Sequence, residues 1–285
     1  MPKAGQVTRR QLHEGEETMH ALFEKQGHIA TITMNRPDAL NALSPEMICR
    51  LVDYWKEVHD DDNIRVAIVT GAGAKSFCSG ADLGQLIPLF TGARKPQNEY
   101  EERVVKDRGL TGIGILRDFD TVKPVVAAVN GFAVAGGTEM LQGTDIRVAA
   151  DHARFGLQEV KWAIFPGGGS TVRLPRQIPY CRAMEILITG DLISAQEAFD
   201  VGLINKVVPA ANLMEAAMEY AEKLAKNGPI AVQAIRRSAR ECIGYPEKEA
   251  LAMEAKFSAP VFQTEDAKEG PKAFMEKREP VFKGR

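Results

Sequence analysis

The sequence predicts an α/β core followed by a helical C-terminal portion, and three observations lead there. Continuous apolar runs of strand length occur at 64–70 (IRVAIVT) and within 122–131 (VKPVVAAVNG), and each meets a glycine. Strand and helix patterns alternate as far as about residue 208, the signature of an α/β arrangement. Beyond that point only helical spacing remains, with Leu213, Met214, Ala217, Met218, Ala221 and Leu224 on one face.

Taken in order, residues 20–34 place two apolar runs around Gln26-Gly27-His28 and read as a β-hairpin. Ser44 is a natural N-cap with Pro45 at the first helical position. Met47, Ile48, Leu51, Trp55 and Val58 then recur at helical spacing until Asp60-Asp61-Asp62, a solvated helix end. Each of the two buried strands is expected to pass through a glycine-rich turn directly into a helix. Segments 229–242, 247–257 and 264–278 read as helices separated by Gly or Pro. The expected division is a mobile tail over 1–19, a core over 20–209 and a helical subdomain over 210–285 suited to docking on neighbouring copies.

The chain has 285 residues, 45% of them hydrophobic and 26% charged, with a formal net charge of -2, the composition of an ordinary globular protein. No clustered basic excess points to a nucleic-acid partner. No apolar tract approaches the roughly 18 residues of a membrane helix. The N-terminus has basic residues but no apolar stretch behind them, so it does not read as a secretory signal. Cys49, Cys78, Cys181 and Cys242 are widely spaced, which fits a reduced compartment and predicts a cytoplasmic protein. Cys78 reads as a small packed side chain.

Two nucleotide-binding patterns fail on spacing. A Rossmann turn would need Gly where Ser76 stands, and a Walker loop would need Gly where Val69 and Ala74 stand. Ser170 follows three glycines but lacks the G-x-S-x-G elbow of a serine hydrolase. Two junctions remain, Ser79-Gly80-Ala81-Asp82-Leu83 and Ala135-Gly136-Gly137-Thr138-Glu139. Both present small residues where a helix should begin. Backbone N–H groups at a helix start have no internal partner and can bind a negative oxygen. If the N–H groups of Ala81 and Gly136 converge, they form an oxyanion hole.

The segments 35–43 (NRPDALNAL), 79–83 (SGADL), 123–140 (KPVVAAVNGFAVAGGTEM) and 155–171 (FGLQEVKWAIFPGGGST) resemble the crotonase, or enoyl-CoA hydratase, superfamily. So do 189–208 and 266–282, and the resemblance covers about residues 20–285 with the motifs in family order. It implies a crotonase-type spiral of β-β-α units and an enoyl-CoA hydratase, a carbon–oxygen lyase adding water across the 2,3 double bond of an acyl-CoA thioester. Glu139 and Glu159 stand where family hydratases carry their two glutamates. By that resemblance Glu139 orients and deprotonates water and Glu159 protonates C2, the acid and base that hydration requires. The resemblance assigns coenzyme A binding to Ala39, Leu40, Ala81, Asp82, Leu83 and, often from a neighbouring subunit, Lys277. It implies a homotrimer or dimer of trimers and no cofactor, coenzyme A being part of the substrate.

Two departures stand out: Asp38 replaces a lysine common in hydratases, and Ala135 replaces the first glycine of a common triple. Gln85 to Arg117 matches no fixed pattern, is long and glycine-rich, and lies where family members shape the acyl pocket. The stretch after Glu139 and the Lys161-Trp162 pair resemble hydratases of actinobacterial steroid side-chain breakdown, which implies a medium or bulky enoyl group. The alternative activities in the superfamily include the enoyl-CoA isomerases, many of which keep only one glutamate.

Overall fold

The computed structural model describes residues 18–285, so positions 1–17 of the expected tail lie outside the described residues. Strands β1 (Ala21–Gln26) and β2 (Ile29–Met34) form the expected hairpin, with Gly27 at φ +58° in its turn. Helix α1 (Pro45–Asp60) begins as expected: the Ser44 hydroxyl accepts the Met47 N–H at 3.1 Å. Its apolar face is buried, and the Trp55 indole N–H donates to the Gly114 carbonyl at 3.0 Å.

The chain then repeats one device. Strand β3 (Val66–Gly71) is followed by β4 (Ser76–Cys78) and the short helices α2 (Leu86–Phe90), α3 (Glu99–Lys106) and α4 (Leu110–Gly114). Strand β5 (Val125–Val129) is followed by β6 (Phe132–Val134) and α5 (Gly136–Leu141). Strand β7 (Ile146–Ala150) is followed by β8 (Arg154–Gly156), a 3-10 turn over Gln158–Trp162, α6 (Ser170–Gln177) and α7 (Tyr180–Thr189). Next come β9 (Ile193–Ser194), α8 (Ala195–Asp200) and β10 (Lys206–Val208). The first strand of each unit joins a six-stranded sheet, β1-β2-β3-β5-β7-β10, and the second joins a four-stranded sheet, β4-β6-β8-β9.

The two long strands therefore do not run directly into helices. Each turns a corner into a second short strand, and the corner requires glycine: a Cβ on Gly131 would stand 2.2 Å from the Lys75 carbonyl oxygen, and one on Gly71 2.5 Å from that of Ser76. Two buried amides lock these corners. Asn130 accepts from the Gly71 N–H at 3.1 Å and donates to Gly73 and Ser76 carbonyls, while Asn41 donates to Ala72 and Ser76 carbonyls.

Why β3 and β5 read as unbroken apolar runs follows from their two covered faces. Ala67, Val69, Val125, Ala127 and Val129 face the main core with α1. Val66, Ile68, Val126 and Ala128 face Leu213, Ala216, Ala217 and Ala221 of α9 (Leu213–Lys226). Helices α10 (Pro229–Glu241), α11 (Glu247–Val261) and α12 (Glu265–Met275) complete the expected helical C-terminal run. Gln85 to Arg117 is ordered as α2, α3 and α4, and a buried Glu101 carboxylate receives both Arg94 Nη atoms, at 2.7 and 2.8 Å.

Candidate active site

The corners place four sequence-predicted residues on one cavity. Ala135 is held at φ +51°, ψ -123° by its N–H bond to the Gly156 carbonyl at 2.9 Å, and α5 starts immediately after it. As the first residue of that helix, Gly136 has an N–H with no intrahelical partner. Glu139 falls in the same first turn and is 5% exposed.

Ala81 reaches the same place by a different route. It pairs with Leu43 in an isolated parallel bridge made by Leu43 N–H to Gly80 O (2.8 Å) and Asp82 N–H to Leu43 O (3.1 Å). Neither bond uses the Ala81 N–H. No helix begins there, contrary to the expectation for this junction; α2 starts only at Leu86, because the Asp82 carboxylate first turns the chain by accepting the Gly84 and Gln85 N–H groups. The two junctions touch. A Cβ on Gly80, which is at φ +92°, would lie 3.2 Å from Gly136 N, and one on Gly136 would lie 3.9 Å from Ala81 N.

Ala81, Gly136, Glu139 and Glu159 line a cavity of about 600 Å³, together with Leu83. Helices α2 and α4 contribute Leu86, Ile87, Phe90 and Thr111 to its wall. Glu139 Oε1 accepts the Gly168 N–H at 2.6 Å. Burial pushes the Glu139 carboxyl up, opposed by hydrogen bonds from Gly168 and Ser170 and by the Arg117 charge. Glu159, on the 3-10 turn, is pushed up to about 7 by burial, with the neighbouring Glu139 charge adding to the effect. Its Oε2 is occluded without a hydrogen-bond partner among the described residues. That burial outweighs the opposing hydrogen bond from the backbone N–H of Glu159 itself, so the carboxyl keeps its proton more readily. The cavity thus pairs one carboxylate held by donors with one that titrates near neutrality, an arrangement able to take one proton and give another.

The remaining predicted residues lie apart from this wall. Ala39 ends a 3-10 turn, and Leu40, in left-handed conformation, is exposed while its carbonyl accepts the Ser79 N–H at 3.2 Å. Asp82 is tied to Arg36 at 2.9 Å. Lys277 follows α12, exposed and at φ +55°, and is not part of the cavity wall within one chain. Cys78 is fully buried, as expected, and its thiol is pushed up to about 12 by that burial. Sequence reasoning weighed Ser170 only as a nucleophile and passed over Arg36 and Gln142, whose contacts depend on partners distant in the chain.

Stacked β-β-α units around a cavity holding one buried and one half-buried carboxyl define an enzyme of the crotonase fold. The sequence matches the enoyl-CoA hydratase/isomerase family over residues 24–285, and the chain belongs to that family. It is 47% identical over 269 residues to "Enoyl-CoA hydratase EchA19" of Mycobacterium tuberculosis, spanning 93% of this chain and 97% of that protein. It is 40% identical over 266 residues to "(E)-benzylidenesuccinyl-CoA hydratase" of Thauera aromatica, spanning 93% of this chain and 100% of that protein. Among solved structures, an enoyl-CoA hydratase from Bacillus anthracis superposes with a TM-score of 0.84 at 38% identity, covering 93% of this chain and 100% of that one.

Proposed function

We propose that this enzyme adds water across the 2,3 double bond of an enoyl-CoA thioester, with Glu139 and Glu159 as the paired carboxyls. The observation that carries this is the shared cavity, in which Glu139 accepts the Gly168 N–H at 2.6 Å while Glu159, shifted to about 7, keeps an unpartnered oxygen. In the proposed step Glu139 takes a proton from water as its oxygen bonds to C3. The electron pair of the double bond passes toward the thioester carbonyl, whose developing negative charge is received by the Ala81 and Gly136 N–H groups. Glu159 delivers its proton to C2, restoring the carbonyl. The proton on Glu139 returns to Glu159 through water before the next turnover. The step uses only substrate, water and these residues.

The acyl group is proposed to be medium or bulky. Trp162 and Phe165, 74% and 70% exposed, join the wall of a cavity whose volume of about 600 Å³ falls well within the range of small-molecule sites. The name of the Thauera relative, which specifies a benzylidenesuccinyl group, supports a large acyl substrate. Ala39, Leu40, Asp82 and Leu83 are proposed to receive coenzyme A beside the Ser79–Leu83 loop. A symmetric trimer or dimer of trimers is proposed from the exposed Ile235, Phe262, Phe274 and Met275 of the C-terminal helices, with Lys277 acting across the subunit boundary. Among the described residues no helix is long and apolar enough to cross a membrane, and a cytoplasmic site of action is proposed.

The deciding experiment follows loss of enoyl thioester absorbance with a panel of enoyl-CoA substrates. Hydration abolished by Glu139→Gln and by Glu159→Gln supports the proposal. A product with a shifted double bond and no added water would replace it by an isomerase.

A further inference from the structure

Among the described residues lining the cavity, Arg117 is the one cation, and the proposed reaction has not used it. Its backbone is held from both sides. The Arg117 N–H donates to the Gly112 carbonyl at 2.8 Å, closing the end of α4 through Leu116 at φ +58°, and the Arg117 carbonyl accepts Arg173 Nη2 at 2.9 Å. Arg173 Nη1 donates to the Leu116 carbonyl at 2.9 Å. The Arg173 guanidinium is thus spent on the main chain, where it tethers the residue that lines the cavity.

The Arg117 side chain is not spent. Among the described residues its guanidinium makes no hydrogen bond, only an approach of 3.7 Å to Asp118 Oδ1 with the two side chains 49% and 53% exposed. An ion pair so open to water contributes at most about 1 kcal/mol, which leaves the guanidinium able to take another acceptor.

Its place is beside the acids. A Cβ on Gly168 would stand 2.2 Å from Glu139 Oε2 and 2.6 Å from Ile115 Cδ1, and one on the next residue, Gly169, 3.7 Å from Arg117 Cγ. Arg117 therefore flanks the same turn as Glu139, and its charge opposes the rise that burial causes in that carboxyl. With the thioester carbonyl at Ala81 and Gly136 and C3 at Glu139, a group on this turn meets the acyl chain at or beyond C3. A hydrocarbon chain arriving there would strip water from a full positive charge and return nothing. A carboxylate would accept two N–H bonds from the guanidinium, whose planar fork matches its two oxygens.

We propose that Arg117 selects acyl groups bearing a second carboxylate, which it receives in a bidentate ion pair, so that the substrate class is the CoA thioester of an unsaturated dicarboxylic acid. The inference rests on the cavity being the acyl-CoA site and names the kind of acyl group it takes.

The test measures binding, which needs no turnover. Calorimetry on the full chain compares glutaryl-, adipyl- and pimeloyl-CoA with pentanoyl-, hexanoyl- and heptanoyl-CoA, saturated pairs of equal length in which a carboxylate replaces the terminal methyl. At least one diacid should bind about tenfold or more tightly than its partner, equivalent to about 1.4 kcal/mol. In Arg117→Gln that preference should vanish, and in Arg117→Lys, which keeps the charge without the fork, part of it should remain. Arg117→Glu should turn it into a preference for the monoacid. The ratio within each pair cancels any loss common to both ligands, and the backbone bonds that fix residue 117 do not use its side chain. No preference for any diacid in the unaltered enzyme, or a preference that survives in Arg117→Gln, overturns the proposal. If none of the six thioesters binds, the acyl-CoA reading of the cavity falls and the proposal with it. Absence of hydration with every enoyl-CoA would instead remove the proposed reaction while leaving the binding ratios standing.

Discussion

The backbone N–H of Gly168 meets Glu139 Oε1 at 2.6 Å, joining the middle residue of the 167–169 turn to a carboxylate on the preceding β-β-α unit. The carboxylate is thereby fixed by a donor that cannot rotate away. Glu159 receives no such help at Oε2. Under the proposed reaction the asymmetry corresponds to different duties for the two acids, and it gives the first expectation.

Replacing either glutamate by glutamine should lower kcat by about 10²- to 10⁴-fold while leaving coenzyme A affinity nearly intact, because each removes one proton-transfer partner. Stopped-flow turnover with calorimetric binding separates the two quantities. A variant that retains full turnover removes that residue from the mechanism.

The hydration rate should trace a bell against pH. It climbs as Glu139 loses its proton and falls as Glu159, shifted to about 7, loses the proton it must donate. In Glu159→Gln the falling limb near 7 should vanish from the residual activity. A wild-type rate still level two units above neutrality would contradict the assignment.

The same shift has a consequence for folding. Glu159 holds its proton to higher pH in the folded chain than in the unfolded one, so the folded state binds the extra proton between about 4.5 and 7. Stability therefore falls as pH rises through that window, and the charged form is the penalised one. Glu159→Gln should raise the melting temperature at pH 8 and change it little at pH 4. Equal changes at both would show that the charge is not what matters.

Ala135 occupies φ +51°, ψ -123°, a region that an L residue enters only under strain. Ala135→Gly should relieve this and, after the extra flexibility of the unfolded chain is counted, stabilise the protein by up to about 1 kcal/mol. Urea denaturation measures it; a clear loss of stability would show that the Ala135 methyl is needed where Gly80 packs against it.

Gly136→Pro removes a backbone donor and should reduce turnover by about 10²- to 10³-fold if the N–H stabilises the oxyanion. Circular dichroism must first establish that the variant folds. A folded variant with undiminished activity would exclude Gly136 as a donor.

Much of this fold was legible because its determinants are local or strongly periodic. Ser44, Pro45 and the spacing from Met47 to Val58 specify α1, and the two covered faces of β3 and β5 leave unbroken apolar runs. Strands of three residues, such as Ser76–Cys78 and Phe132–Val134, are too short to display alternation, so the corner into the second sheet was read as a turn. The cavity residues Ala81, Gly136, Glu139 and Glu159 stood in recognisable motifs. The contact between Ser170 and Gln142 was not legible, since 28 positions separate them and their hydrogen bond exists only once α6 lies beside α5.

The β-β-α stack divides labour among its layers. Helices α2 and α4 belong to the unit of β3 and β4, Glu139 to that of β5 and β6, and Glu159 to that of β7 and β8. Under the proposed function, proton handling and much of the recognition of the acyl end would thus be written in separate stretches of chain, joined only where their layers meet around one hollow. Mutations accumulating between Gln85 and Arg117 would alter the wall of the hollow without touching the paired strands β6 and β8, which the two acids follow in the chain. Such a scaffold is built to change its diet without relearning its chemistry.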